Sequence, residues 1–191
     1  MAWNKLVRLD LLKEEHIVFP DGIYEDFVYT LLLMRLAKGI TVLRERPIFY
    51  KVNREGSLTF DAENKTESRI KSHVAAYQEL NRRGLMDDKR VAGSFFHKLA
   101  IDYRFFIRFF NDYSGYEAFY NAVTSEESAL SYYKRDEYDI PAVNDFFDYD
   151  AKEYLFLELK RQFDDAMRFR QLGIERGKTI RKLQNQIKSD H

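Results

Sequence analysis

The stretch KLAIDYRFFIRF, Lys98–Phe109, decides which fold the chain reads as. Leu99, Ile101, Tyr103, Phe105, Ile107 and Phe109 occupy every second position, with Lys98, Ala100, Asp102, Arg104, Phe106 and Arg108 between them. Alternation of this kind puts one set of side chains on one face of a strand. A helix accounts for the same residues through Leu99, Tyr103, Phe106 and Phe110, but leaves Ile101, Phe105 and Phe109 on its polar side. The strand is the preferred reading, and it predicts a β-wing over about 85–109.

Upstream lies NKTESRIKSHVAAYQELNRRGL, Asn64–Leu85, which reads as an amphipathic helix with both ends marked. Asn64 is placed to cap it, and Glu67 stands three residues on, as a capping box requires. Ile70, Val74, Tyr77 and Leu80 form its apolar stripe, and Gly84 supplies the stop before Leu85. Lys65, Arg69, Lys71, Ser72, Arg82 and Arg83 fall on the outward faces. Residues 23–38 form a second helix, apolar on most sides and closed by Lys38 and Gly39. Residues 40–52 change to a period of two and read as a strand or hairpin, with Pro47 at an edge. A weak short helix from Asn53 is placed at 53–62. Residues 3–19 fit either a strand or a helical lead-in before the turn Pro20-Asp21-Gly22.

Downstream, residues 115–170 read as helical. Pro141 opens one long helix, or two meeting near Asp148–Asp150, whose later part carries Leu155, Leu159, Phe163 and Met167 at i+4 steps. Gly173 and Gly177 interrupt the pattern. A final basic helix, KTIRKLQNQIKS, shows Ile180, Leu183 and Ile187 as a narrow seam suited to a partner helix. The expected fold is therefore α+β and mainly helical. An N-terminal winged helix-turn-helix covers 1–112, and an α-helical segment covers 113–191.

The 191 residues suffice for one domain with a good core or two small ones. An aromatic content of 16% argues for packed elements over a disordered chain. With no cysteine, disulfides and thiolate zinc sites are excluded; a reducing, cytoplasmic setting is expected. No signal peptide or membrane span is expected. Net charge is zero, yet it is unevenly spread. Residues 65–109 carry +5, residues 110–165 carry −9, and residues 166–191 carry +5. A basic face can bind phosphate in a neutral protein, because screening confines each charge to roughly 8–10 Å.

The pairing of YTLLLMRLAKG with RPIFYKVNREGSL and NKTESRIKSHVAAYQELNRRGLM resembles the N-terminal winged-helix domain of replication initiators from plasmids and phages of Gram-positive bacteria. The resemblance covers about residues 23–109 and is one of pattern. It implies a non-catalytic protein that binds double-stranded DNA, in replication initiation or transcriptional regulation of a mobile element. The helix 64–85 would read the major groove. Arg69 would contact guanine, Lys65, Thr66, Ser68 and Lys71 would position the phosphates, and Ser72 lies at the same end of the helix. Lys89 and Arg90 would reach the backbone or the minor groove from the wing.

The plain alternative is that these charges form the solvated face of an amphipathic helix, and Lys89-Arg90 an ordinary turn. His16, His73, His97 and His191 show no metal-ligand spacing, and His73 reads as structural. Asp145, Asp148, Asp150 and Glu153 lack calcium-loop spacing and read as an acidic surface. The aromatic run 95–110 reads as core before it reads as a stacking platform for single strands. No phosphate loop, nucleophile motif or dinucleotide fingerprint is present, so no catalysis and no cofactor are expected. The second functional reading is a helical protein–protein interaction module. It would dock a homodimer mate or another partner through 151–188, or through the acidic 110–165 region.

Overall fold

The structure, a computed structural model, describes residues 5–19, 26–42 and 66–189, the side chains of 180–189 excepted. Its helices are α1 (Leu9–Glu14), α2 (Asp26–Leu36), α3 (Thr66–Arg82), α4 (Lys89–Ile107), α5 (Tyr113–Thr124), α6 (Arg135–Tyr138), α7 (Pro141–Asp148) and α8 (Ala151–Ser189). Short 3-10 turns lie at Leu85–Asp87 and Ala129–Tyr132. No strand occurs among the described residues, and the α+β winged-helix expectation is corrected to an all-helical fold. Two compact units are present, Met1–Asp148 and Tyr149–His191.

The correction turns on α4. Lys98–Ile107 is the later part of a helix that begins nine residues earlier, at Lys89, and Arg108 is its C-cap. Asp88 caps it, its Oδ1 accepting from the Arg90 N–H at 2.9 Å. Read from that start, the buried residues Ala92, Phe95, Phe96, Leu99, Tyr103, Phe106 and Ile107 fall at helical spacing. The apparent alternation comes from overlaying this stripe with a second, exposed set: Ile101, Phe105 and Phe109. A strand would bury that set with Leu99, Tyr103 and Ile107 but turn Phe106 away and break the stripe's continuity with Ala92, Phe95 and Phe96. Each large apolar side chain is worth about 1.5–3 kcal/mol when buried, so the longer stripe wins. The exposed rings shelter each other, with Phe105 and Phe109 centroids 5.4 Å apart and the Arg108 guanidinium 4.2 Å above Phe105.

Around α4 the first unit packs as helix on helix. α3 runs antiparallel to it: Arg69 lies over Phe106, His73 meets Tyr103 at 5.0 Å, and Tyr77 meets Phe95 at 6.0 Å. Tyr103 also meets Phe119 of α5 and Phe146 of α7 at 6.0 and 6.1 Å, so one ring joins four helices. The Tyr120 hydroxyl fastens α5 to α7 by donating to the Phe146 carbonyl at 2.9 Å. α2 packs on α3 through a face that includes Val28, Leu32 and Leu33. The stop at Gly84 stands as expected, with φ at 68° and its N–H on the Asn81 carbonyl at 2.8 Å. The Asn64 cap and the short helix at 53–62 lie outside the described residues, as does most of the strand placed at 40–52.

The second unit contains α8. A complete capping box starts it. Asp150 Oδ1 accepts from the N–H groups of Lys152 and Glu153 at 2.9 and 2.8 Å, and Glu153 Oε2 accepts from the Asp150 N–H at 3.2 Å. α8 has 39 residues, hence a length of about 58 Å at 1.5 Å per residue. Gly173 and Gly177, expected to interrupt it, lie inside the helix. Each costs roughly 1 kcal/mol against alanine, too little to break a helix of this length.

Candidate functional site

Of the eight residues proposed to contact DNA, the seven that are described do not form one basic surface. Lys65 lies outside the described residues. Thr66, Ser68 and Ser72 are half-buried. Arg69, the intended guanine reader, is buried, its guanidinium over the Phe106 ring. The buried face of α3 is Arg69, Ile70, His73, Ala76 and Leu80, turned toward Arg69 and His73 from the stripe expected through Val74 and Tyr77. An arginine can lie on such a face because its flat cation stacks on an aromatic ring. Lys71 is exposed and paired with Glu67 one turn back. That hydrogen bond raises the Lys71 pKa and holds the Glu67 carboxyl below its usual range.

Beside this end of α3 runs a groove of about 1030 Å³. Its lining includes the apolar Ile70, Val74 and Ala122 and the charged Glu67, Lys71, Glu126 and Glu127. Three carboxylates against one paired ammonium favour a cationic or apolar occupant and repel phosphate. Lys89 and Arg90 lie in the first turn of α4, not on a wing. The antiparallel packing puts them at the far end of α3 from Thr66–Ser72. Arg90 is held by Asp88 at 3.1 Å. Lys89 lines a smaller cleft of about 280 Å³ that includes Lys134, Glu137 and the stacked rings of Tyr77 and Tyr132, 4.1 Å apart.

The basic ending of α3 has structural work. Glu79 accepts from Arg82 at 2.8 Å and from Arg83 at 2.7 Å, and the Arg82 hydrogen bond leads in lowering its pKa to about 2. Arg83 then reaches across to donate to the Glu15 carbonyl at 2.9 Å, just past the end of α1. The acidic residues near 148–153 are committed as well. Asp148 takes a two-pronged pair from Arg135 at 2.6 and 2.8 Å, and Asp150 and Glu153 form the cap of α8. Among the described residues no group of three metal-ligating side chains converges.

The largest uncommitted feature is on α8. Phe156, Leu159, Phe163, Met167 and Ile174 are 72, 56, 65, 47 and 46% exposed. At 3.6 residues per turn they fall within about 80° of arc, one continuous stripe. The buried residues Ala151, Tyr154 and Glu158 occupy the other side of the same helix. Arg168, Arg170, Arg176 and Lys178 follow, all on the exposed later half. The i+4 series through Leu159, Phe163 and Met167 carried this signal in the sequence. Which side of the helix stays uncovered was not visible there.

Comparison with known proteins finds no matching family model, no matching curated protein and no matching solved structure. No helix among the described residues is long and apolar enough to cross a membrane.

Proposed function

We propose that the chain is a helical protein–protein interaction module that docks a partner helix along the exposed stripe of α8. The observation that carries this reading is the run Phe156, Leu159, Phe163, Met167 and Ile174, five large apolar side chains left in water on one face of a 39-residue helix. Water-exposed apolar stripes of this extent are disfavoured unless a partner covers them. A helix laid into a second helix reads anchors at these same steps. The DNA reading loses its main supports, since it drew on a wing and on an exposed Arg69, and the α3 terminus stands beside Glu126 and Glu127.

The test is the double variant Phe163→Glu/Met167→Glu. Both positions are exposed, so far-UV circular dichroism should be unchanged. Binding partners captured by the wild-type chain should be lost, and titration with duplex DNA at low salt should show no salt-dependent binding to either protein. Partner capture unaffected by the double variant, or tight duplex binding that weakens steeply with salt, would refute the reading.

A further inference from the structure

Resting on that reading, we infer that the occupant of the stripe is the same stripe of a second copy, laid antiparallel with its two-fold axis beside Asp165. Four of the stripe's five apolar residues are placed symmetrically about that point, and the fifth, Leu159, has no apolar counterpart. Phe156 and Ile174 stand nine residues either side of 165, and Phe163 and Met167 stand two either side. A two-fold pair matches residue i with residue j and j with i. Phe163 of each copy then meets Met167 of the other, and Phe156 meets Ile174. Leu159 lies against the aliphatic stem of Arg170, whose charged end reaches past it to water.

Charge selects the direction. Residues 168–178 carry Arg168, Arg170, Arg176 and Lys178 against the single carboxylate of Glu175. A parallel pair sets this cationic stretch beside its own copy. The antiparallel pair sets it beside 152–162, where Glu153 and Glu158 reduce the charge of Lys152, Lys160 and Arg161 to +1, so the repulsion is smaller. The centres of the two cationic stretches then stand roughly 24 Å apart along the helices, beyond the screening length. Antiparallel helix dipoles also favour this arrangement. The area is sufficient. Taking roughly 200 Å² for a fully exposed side chain of this size, the ten side chains of a pair expose on the order of 1,100 Å², at the lower edge of a specific interface.

The chain has no cysteine, which makes disulfide trapping clean. Lys160 and Gln171 flank the stripe on one side and face each other across the proposed pair. A disulfide needs Cα atoms within about 7 Å. Lys160→Cys and Gln171→Cys full-length chains, each alone and then mixed, are oxidised under identical conditions. The mixture should give a mixed disulfide dimer, and neither alone should, because like positions stand roughly 16 Å apart in the antiparallel pair. Rapid dimerisation of Lys160→Cys alone, or no dimer in any sample, overturns the inference. In those cases the docking reading is judged separately, by whether Phe163→Glu/Met167→Glu still abolishes capture of a different protein.

Discussion

Tyr133 holds two stretches of chain in place with one hydroxyl. It accepts from the Ile140 N–H at 2.7 Å and donates to Asn144 Oδ1 at 2.8 Å, while Asn144 Nδ2 donates to Asp139 at 2.9 Å. Asp139 sits at a φ of 40°, so this network also fixes the tight entry to α7. Tyr133→Phe should cost about 1–3 kcal/mol in denaturant unfolding, because it strands a donor and an acceptor that are largely out of water. His73 sets a pH dependence. Burial holds its imidazole well below the usual histidine range, with the Arg69 and Lys98 charges adding to the effect. Asp102, 3.9 Å away, opposes them without prevailing. The unfolded chain takes up this proton near pH 6.5, and the folded chain does not. Stability is therefore complete above about pH 6.5 and falls as pH drops toward the folded value, approaching about 1.4 kcal/mol per pH unit. His73→Phe should flatten that slope in unfolding curves taken across this range. The structural reading of His73 was legible from its place beside the stripe. The burial of Arg69 was not, because nothing in the local sequence reports that Phe106 lies beneath it.

Among the elements, α3 was the most legible and α4 the least, for one physical reason. α3 carries a glycine stop and a single apolar stripe, so its period is unmistakable. α4 carries two apolar stripes, and a window opened at Lys98 sees them interleaved as a strand. Opening the window at Asp88, the cap, restores the helical period. From the sequence α8 reads in pieces, because Gly173 and Gly177 look like breaks that a 39-residue helix tolerates. Its start signal, the Asp150–Glu153 capping box, has the composition of an acidic surface. Gly173 and Gly177 give the matching prediction. A Cβ added at either meets nothing within 4 Å. Gly173→Ala and Gly177→Ala should each stabilise α8 by roughly 0.5–1 kcal/mol, read as increased helicity by circular dichroism and slower amide exchange across the later half of the helix. A loss of helicity would contradict a continuous α8.

At the scale of the whole molecule, charge segregation along the sequence does not translate into a single basic face. Of the ten cations of residues 65–109, five are held by carboxylates of the same stretch, Arg82 and Arg83 by Glu79, Lys71 by Glu67, Arg90 by Asp88 and Lys98 by Asp102, and Arg69 is buried. Several carboxylates of residues 110–165 likewise have local partners: Asp112 caps α5, Asp148 pairs with Arg135, and Asp150 caps α8. Among the described residues, a continuous apolar stripe is left in water on α8. Sedimentation of the full chain over a wide range of concentration, beside the Phe163→Glu/Met167→Glu variant, tests this most directly. The account predicts a wild type whose mass rises from one chain to two with concentration, and a variant that stays at one chain with unchanged helicity. A wild type that remains a single chain throughout, or a variant that associates as the wild type does, would contradict it.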